Sequence, residues 1–181
     1  MVESSGEALI SVRLRVNGSD HEIRVRPRES LAEALRAKLK LTGTHLSCQI
    51  GVCGACSVLL DGDLVRGCLI LAAQASGRDV QTVEGLSQDD ALSEVQSAMH
   101  EQHAVQCGFC TPGFVVLLHW LRAHRDEMDA RELGEALSSN LCRCTGYAGL
   151  VRAAEALLDR RVDLGRTDEG DHLEPARGGI A

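Results

Sequence analysis

The sequence predicts an α+β fold, in which a small sheet crossed by one helix is followed by an all-helical part. Up to Val83, apolar and polar residues mostly alternate with the two-residue period of strands, interrupted by one helical segment. From Ser87 onward, apolar residues recur instead with the three-to-four-residue period of helices. Because the period changes near Gly85, we predict a first domain at 1–85 and a second at 86–162.

The first domain is predicted to contain five short strands and one helix. The strands are expected at 9–16, 22–26, 58–60, 64–65 and 80–83. Asn17-Gly18 between the first two is a strong hairpin signal, because both residues accept a positive φ. Ser30 and Glu33 form a capping box that starts the helix. The expected order is therefore strand-strand-helix-strand-strand-strand.

The second domain is predicted to be a compact bundle of four helices. Their N-terminal caps are expected at Ser87, Thr111, Asp129 and Thr145, and Pro112 suits the first position of the second helix. From Val162 the apolar period stops and glycines mix with charges. Residues 163–181 are therefore predicted to be a disordered tail.

Composition and charge restrict the class of protein. The chain has 181 residues, of which 44% are hydrophobic and 25% charged, the balance of a globular protein. The net charge of −7 argues against a nucleic-acid partner, which would require a basic face. The start lacks the features of a secretory signal, and no apolar run could span a membrane. We therefore expect a cytoplasmic protein, whose eight cysteines suggest metal or redox chemistry rather than disulfides.

Four cysteines of the first half have the spacing of an iron–sulfur site. Cys48, Cys53, Cys56 and Cys68 follow the C-x4-C-x2-C…C order of plant-type 2Fe–2S ferredoxins. Gly51 and Gly54 lie between these cysteines, where the backbone must curl tightly around a cluster. Without side chains, they let backbone N–H groups point at the bridging sulfides, so both are candidate cofactor-binding residues.

The other four cysteines form a second candidate site with a different spacing. Cys107-x2-Cys110 and Cys142-x-Cys144 each precede a predicted helix start. A helix N-terminus carries partial positive charge and free N–H groups, which favour thiolates and an anionic cluster. Structural zinc is an alternative for both sets, although it usually takes two C-x2-C halves. The spacing favours iron–sulfur over zinc, less strongly for the second set.

Three motifs together resemble the iron–sulfur subunit of the xanthine dehydrogenase, or molybdenum hydroxylase, family. They are Cys48-Gln49-Ile50-Gly51-Val52-Cys53-Gly54-Ala55-Cys56, Gln106-Cys107-Gly108-Phe109-Cys110-Thr111-Pro112-Gly113 and Asn140-Leu141-Cys142-Arg143-Cys144-Thr145-Gly146-Tyr147. The resemblance covers about residues 9–160 and includes all eight cysteines. Ser139 departs from the pattern, since relatives often carry glycine there, and this could alter the φ of one loop.

The resemblance implies a β-grasp, plant-type ferredoxin-like domain and an all-α four-helix domain, each holding one 2Fe–2S cluster. It implies an electron-transfer subunit of a hetero-oligomeric oxidoreductase, a dimer of heterotrimers, with molybdenum–pterin and FAD on partner subunits. Single electrons would pass from the pterin centre through the helical-domain cluster and then the ferredoxin-like cluster to FAD. By the same resemblance, Gln106 and Cys144 contact the pterin. No residue of this chain is expected to be catalytic.

Two other functions stay open at the level of the sequence. The first is a freestanding two-cluster ferredoxin that shuttles electrons between enzymes. The second is a zinc-dependent interaction module. The absence of a Gly-x-Gly-x-x-Gly dinucleotide motif after a strand places flavin on another subunit rather than on this chain.

Overall fold

A five-stranded sheet and five α-helices are present in the computed structural model, which describes residues 8–87 and 91–165. The strands are β1 (Ile10–Val16), β2 (Ser19–Val25), β3 (Ser57–Leu60), β4 (Asp63–Arg66) and β5 (Asp79–Gln81). The helices are α1 (Leu31–Lys38), α2 (Glu94–Glu101), α3 (Thr111–His124), α4 (Ala130–Ser138) and α5 (Ala148–Leu158). Short 3-10 turns follow β5 at Val83–Gly85 and α3 at Arg125–Glu127.

The sheet has the strand order β2-β1-β5-β3-β4. β1 and β2 pair antiparallel around Asn17 and Gly18, whose φ angles of 49° and 79° confirm the predicted hairpin turn. β5 pairs parallel with β1 and antiparallel with β3, so the chain must cross the sheet between β1 and β5. The alternation predicted for the first strand is observed, because Val12, Leu14 and Val16 are buried and the residues between them are exposed.

α1 covers the sheet and closes the first hydrophobic core. Leu31 and Leu35 pack with Val25, Val58 and Val80 in this core. The predicted capping box starts the helix, since the Ser30 N–H donates to Glu33 Oε2 at 2.8 Å and the Glu33 N–H donates to Ser30 Oγ at 3.2 Å. The backbone hydrogen bond from Ser30, followed by that from its hydroxyl, lowers the pKa of Glu33.

α3 is the central element of the helical part. Its buried side chains, which include Phe114, Leu117 and Leu121, form the second hydrophobic core with residues of α2, α4 and α5. α3 also packs against β3 and β4. The N-terminal end of α3, where Cys110 lies, is therefore held between the sheet and the other helices.

Three predicted helix starts differ from the observed ones, by six residues at α2, two at α5 and one at α3. α2 begins after Ser93, whose hydroxyl accepts from the Gln96 N–H at 3.3 Å, while the Ser87 hydroxyl donates to the Gln96 side chain at 2.7 Å. Ser93 and Gln96 form a capping box of their own, which sets a later start than Ser87. Residues 88–90 of the expected cap lie outside the described residues.

α5 begins after Tyr147 rather than directly after Thr145. Tyr147 adopts the left-handed φ of 67° and Gly146 has a φ of 60°, so the chain turns twice before the helix starts. The Thr145 hydroxyl accepts from the Tyr147 N–H at 3.1 Å and contacts the Cys142 sulfur at 3.2 Å. Thr145 therefore supports the preceding loop instead of capping the helix. α3 also starts one residue earlier than expected, at Thr111 with Cys110 as the N-cap.

The end of the described chain packs against α4. The Asp163 N–H donates to the Ala130 carbonyl at 2.8 Å, and Leu164 contacts the second hydrophobic core. Residues 166–181, most of the predicted tail, lie outside the described residues. None of the helices that the structure describes is long and apolar enough to cross a membrane.

Removing the α4 cap should weaken the fold by a measurable amount. Asp129 Oδ1 accepts from the backbone N–H groups of Arg131 and Glu132, both at 2.8 Å. We expect Asp129→Ala to lower the free energy of unfolding by about 1 kcal/mol, measured by urea denaturation. Asp129→Asn retains a side-chain acceptor and should lose much less. Equal losses in the two variants would contradict the capping role.

Candidate metal centres

The first thiol quartet, defined as Cys48, Cys53, Cys56 and Cys68, lies at one end of the sheet. Three of its members come from the loop between α1 and β3, and Cys68 lies two residues after the end of β4. The thiols of Cys48 and Cys53 are in contact, as are those of Cys56 and Cys68. A charge on Cys53 raises the pKa of Cys56, so the two pairs lie near enough to influence one another.

Backbone N–H groups and burial act in opposite directions within the first quartet. Hydrogen bonds from the N–H groups of Ile50 and Cys53 lower the pKa of Cys48 to about 6. Burial raises the pKa of Cys56 to about 11, since this side chain is only 2% exposed. The loop between α1 and β3 thus directs N–H donors at the Cys48 sulfur, which favours its thiolate form.

The second thiol quartet, defined as Cys107, Cys110, Cys142 and Cys144, joins two loops of the helical part. The thiols of Cys107 and Cys144 are in contact, and so are those of Cys110 and Cys142. A cavity of about 260 Å³ is lined by all four sulfur-bearing residues and also by Cys53 of the first quartet. The quartet therefore brings together the start of α3 and the loop that precedes α5.

Local hydrogen bonds also tune the second quartet. Two hydrogen bonds lower the pKa of Cys107. The larger effect comes from the Phe109 N–H and the smaller from the Cys144 thiol. Burial opposes ionisation of Cys142, but hydrogen bonds led by those from Thr145 lower its pKa overall. Burial raises the pKa of Cys110 to about 12, and the contact with the Cys107 thiol raises that of Cys144.

The donor set of each quartet fits a two-iron cluster. Such a cluster takes four thiolates, two on each iron, and every quartet here consists of two close thiol pairs. Across residues 8–87 and 91–165, no three His, Cys, Asp or Glu side chains stand close enough together to bind a single ion, so the contacts within each quartet are those of pairs. The structure thus pairs the predicted thiols within each quartet, and their role as cluster ligands stays a prediction.

The two quartets meet through their loops. The Leu141 N–H, next to Cys142, donates to the Cys53 carbonyl at 2.9 Å. Gly113 of α3 lies close to the first loop, because a Cβ there would stand 2.4 Å from the Gly54 carbonyl oxygen. One hydrogen bond and one close backbone approach therefore connect the ligand loops of the two quartets.

Arg66, at the end of β4, clamps the segment that leads into the second quartet. Its guanidinium donates to Asn140 Oδ1 at 2.7 Å and to both the carbonyl and the hydroxyl of Ser139 at 2.9 Å. It also donates to the Ser57 hydroxyl. The sequence offered no signal for this role, because a lone arginine in a short strand is usually solvated.

Tyr147 fixes the same segment from the other side. Its hydroxyl donates to the Asn140 carbonyl at 2.9 Å and accepts from the Cys142 N–H at 3.0 Å. The only sequence signal for Tyr147 was its place at the end of the third motif. Ser139 has an ordinary helical φ of −67°, so this departure from the motif causes no backbone strain there.

The remaining predicted site residues lie at the quartets. Gly51 and Gly54 both have the expected positive φ, 79° and 73°. At Gly54 a Cβ would stand 1.9 Å from Asn140 Oδ1. Glycine is therefore needed there for two reasons, the positive φ of the turn and the close contact between the loops. Gln106 and Cys144 are exposed, and Cys144 contacts the neighbour of Gln106, Cys107. Whether any of these residues binds a cofactor stays a prediction.

Comparison with known proteins gives a consistent result. A 2Fe-2S iron-sulfur cluster binding domain matches residues 14–82, and a [2Fe-2S] binding domain matches residues 82–155. Caffeine dehydrogenase subunit gamma of Pseudomonas sp. strain CBB1 is 46% identical over 149 residues, covering 81% of this chain and 89% of that protein. The xanthine dehydrogenase iron-sulfur-binding subunit of Escherichia coli O157:H7 is 40% identical, covering 78% and 90%.

The chain belongs to the iron–sulfur subunit family of xanthine dehydrogenase-type molybdenum hydroxylases. A chain of quinoline 2-oxidoreductase from Pseudomonas putida 86 superposes with a TM-score of 0.75 at 41% identity, over 85% of this chain and 99% of that one. Like the sheet and its crossing helix, this match supports the ferredoxin-like fold. Members of the family are the non-catalytic, electron-transfer subunits of oxidoreductases.

Most of the exposed large apolar side chains lie next to quartet cysteines in the sequence. Among the described residues, nine large hydrophobic side chains are exposed, and seven lie within three residues of a quartet cysteine. The seven are Ile50, Val52, Leu69, Leu71, Val105, Phe109 and Leu141. Apolar surface gathered in this way indicates contact with other proteins.

Substituting Gly54 should disrupt the contact between the loops more than backbone strain explains. Gly77 has a φ of 79° and open space around it. Gly77→Ala therefore measures the cost of the positive φ alone, which should lower the free energy of unfolding by about 1–2 kcal/mol. Gly54→Ala adds an overlap with Asn140 and should lower the free energy of unfolding clearly further. The comparison uses urea denaturation of both variants. Equal destabilisation would show that the close approach at Gly54 is not needed.

Proposed function

We propose that this chain carries two 2Fe–2S clusters and relays single electrons from a molybdenum–pterin centre to FAD on partner subunits. One cluster would lie in a β-grasp, plant-type ferredoxin-like domain at 1–85, and the other in an all-α four-helix domain at 86–162, with 163–181 as a tail. The ligands would be Cys48, Cys53, Cys56 and Cys68 for the first and Cys107, Cys110, Cys142 and Cys144 for the second.

The observation that carries the proposal is the junction between the two quartets. Cys53 belongs to the first quartet, and its carbonyl accepts from the N–H of Leu141, which precedes Cys142 of the second. A single hydrogen bond thus completes a short backbone path between one ligand of each quartet. The bond also holds the two loops together, but a short path between two sites is what electron transfer between them requires.

The chain itself would position the clusters and control their surroundings. When bound, two one-electron centres supply the single steps that link a two-electron donor to a two-electron acceptor. Backbone N–H groups of Ile50 and Phe109 favour the anionic form of Cys48 and Cys107. The low exposure of Cys56 and the burial at Cys110 shield the opposite side of each quartet.

The exposed edge of the second quartet supports the proposed contact with the pterin. Cys107 and Cys144 are both exposed, and so is Gln106 beside them. An amide side chain offers donors and an acceptor to a heterocycle edge, so Gln106 can match a pterin that approaches here. Gly51 and Gly54 would serve the first cluster by leaving its backbone N–H groups unobstructed.

The proposed partners are a molybdenum-cofactor subunit and an FAD subunit, in a cytoplasmic complex that is a dimer of heterotrimers. The apolar side chains around each quartet support separate docking surfaces at the two clusters. Two relatives, which are a gamma subunit and an iron-sulfur-binding subunit, also support a multi-subunit assembly. The net charge of −7 disfavours a nucleic-acid partner.

Removing one ligand should remove one cluster. We expect Cys107→Ser to lower the iron content of anaerobically purified protein by about half, because each cluster holds two of the four irons. The electron paramagnetic resonance signal of the other cluster should remain. Cys48→Ser is the reciprocal control and should retain the signal that Cys107→Ser loses. Zinc in place of iron, or loss of both signals in each variant, would refute the two-cluster proposal.

A relay subunit should also be isolated with its partners. We expect the tagged chain, expressed with the genes that flank its own, to elute by size exclusion with a molybdenum-containing and an FAD-containing subunit. Cofactor analysis of that peak identifies both. A loaded monomer that elutes without companions under these conditions would instead indicate a freestanding electron shuttle.

A further inference from the structure

We propose that His45, a residue of the sheet domain, positions the cluster loop of the helical domain by holding Phe109. This inference rests on the proposed second cluster and adds a residue to its surroundings. His45 precedes the first quartet by three residues, yet its side chain contacts Phe109, which lies between two cysteines of the second. The imidazole stacks on the Phe109 ring, with centroids 4.9 Å apart and planes inclined by 24°.

A hydrogen bond accompanies the stacking. His45 Nδ1 lies 2.7 Å from the Phe109 carbonyl oxygen. A carbonyl oxygen only accepts, so Nδ1 must carry the proton and donate it. The imidazole thus holds both the ring and the backbone of one residue.

Phe109 has a direct role at the second quartet. It lies between Cys107 and Cys110, lines the same cavity as both cysteines, and its N–H donates to the Cys107 sulfur. Its side chain is 47% exposed and is absent from the second hydrophobic core of the described residues. The contact with His45 therefore supplies packing that the helical domain does not give to this loop.

The segment that carries His45 is itself well anchored. Arg36 of α1 donates to the carbonyls of Thr42 at 2.5 Å and Thr44 at 2.9 Å. The Gly43 N–H donates to Glu84 Oε1 at 2.8 Å. Because these bonds tie the segment to α1 and to the turn after β5, His45 can act as a fixed support for Phe109.

The expected consequence is electrostatic. An N–H group directed at a ligand sulfur stabilises the additional negative charge of the reduced cluster and raises its reduction potential. When His45 is lost, the Phe109 N–H is no longer held toward Cys107. The potential of the helical-domain cluster should then fall, while that of the ferredoxin-like cluster, which is nearer in sequence, should not change.

The test is a redox titration of the full-length, cluster-loaded chain, followed by electron paramagnetic resonance. Cys107→Ser assigns the two signals. His45→Ala removes stacking and donor, His45→Phe keeps a ring without the donor, and His45→Asn keeps a donor without the ring. His100→Ala removes an exposed histidine of the helical domain and is the control. We expect a lower potential of the helical-domain cluster in His45→Ala, partial recovery in one or both of the other His45 variants, and no change in the control.

Each result decides the proposal. A helical-domain signal with unchanged potential and line shape in His45→Ala would overturn it, as would a shift confined to the ferredoxin-like cluster. If His45→Ala does not retain the second cluster, selective loss of that cluster supports the role, whereas loss of both clusters in all three His45 variants contradicts it. Wild-type protein without two iron–sulfur signals would refute the two-cluster function itself, which is a separate outcome.

Discussion

The packing of residues 53–55 against the start of α3 and the segment 140–141 is the constraint on which the two sites depend. Gly54 and Gly113 permit this packing, because any side chain at either position would overlap with the opposite segment. The Leu141 N–H then reaches the Cys53 carbonyl, and Arg66 reaches Asn140. Without the close approach, the two quartets would belong to separately folded units with no short path between them.

The support of the ligand loops explains why the helical part needs few aromatic residues. Only Phe114 among the four aromatic residues is among the largest fully buried side chains of the described chain. Tyr147 instead spans a ligand loop, with its hydroxyl bonded on both sides. Loops that would otherwise lack support are held by polar contacts and, on our proposal, by four metal–thiolate bonds, which supply cohesion that a small core cannot.

The cysteines within each quartet differ in exposure, from partly exposed to buried in the first and from exposed to partly exposed in the second. In the first, N–H donors favour the thiolate of Cys48, while burial disfavours that of Cys56. The second repeats this arrangement with Cys107 and Cys110. Unequal exposure of the four ligands suits a centre that must exchange electrons with a partner without admitting water around the whole cluster.

The sequence by itself determined the order of strands and helices and the family, and it predicted which cysteines form each quartet. These features depend on local spacing, periodicity and motifs, which can be read from the sequence without knowledge of the fold. It misplaced the starts of α2 and α5, because several residues could cap each helix and tertiary contacts selected among them. Only the tertiary structure revealed Arg66, Tyr147 and His45 as supports of the second quartet, since hydrogen bonds and stacking between residues distant in sequence leave no periodic trace along the chain.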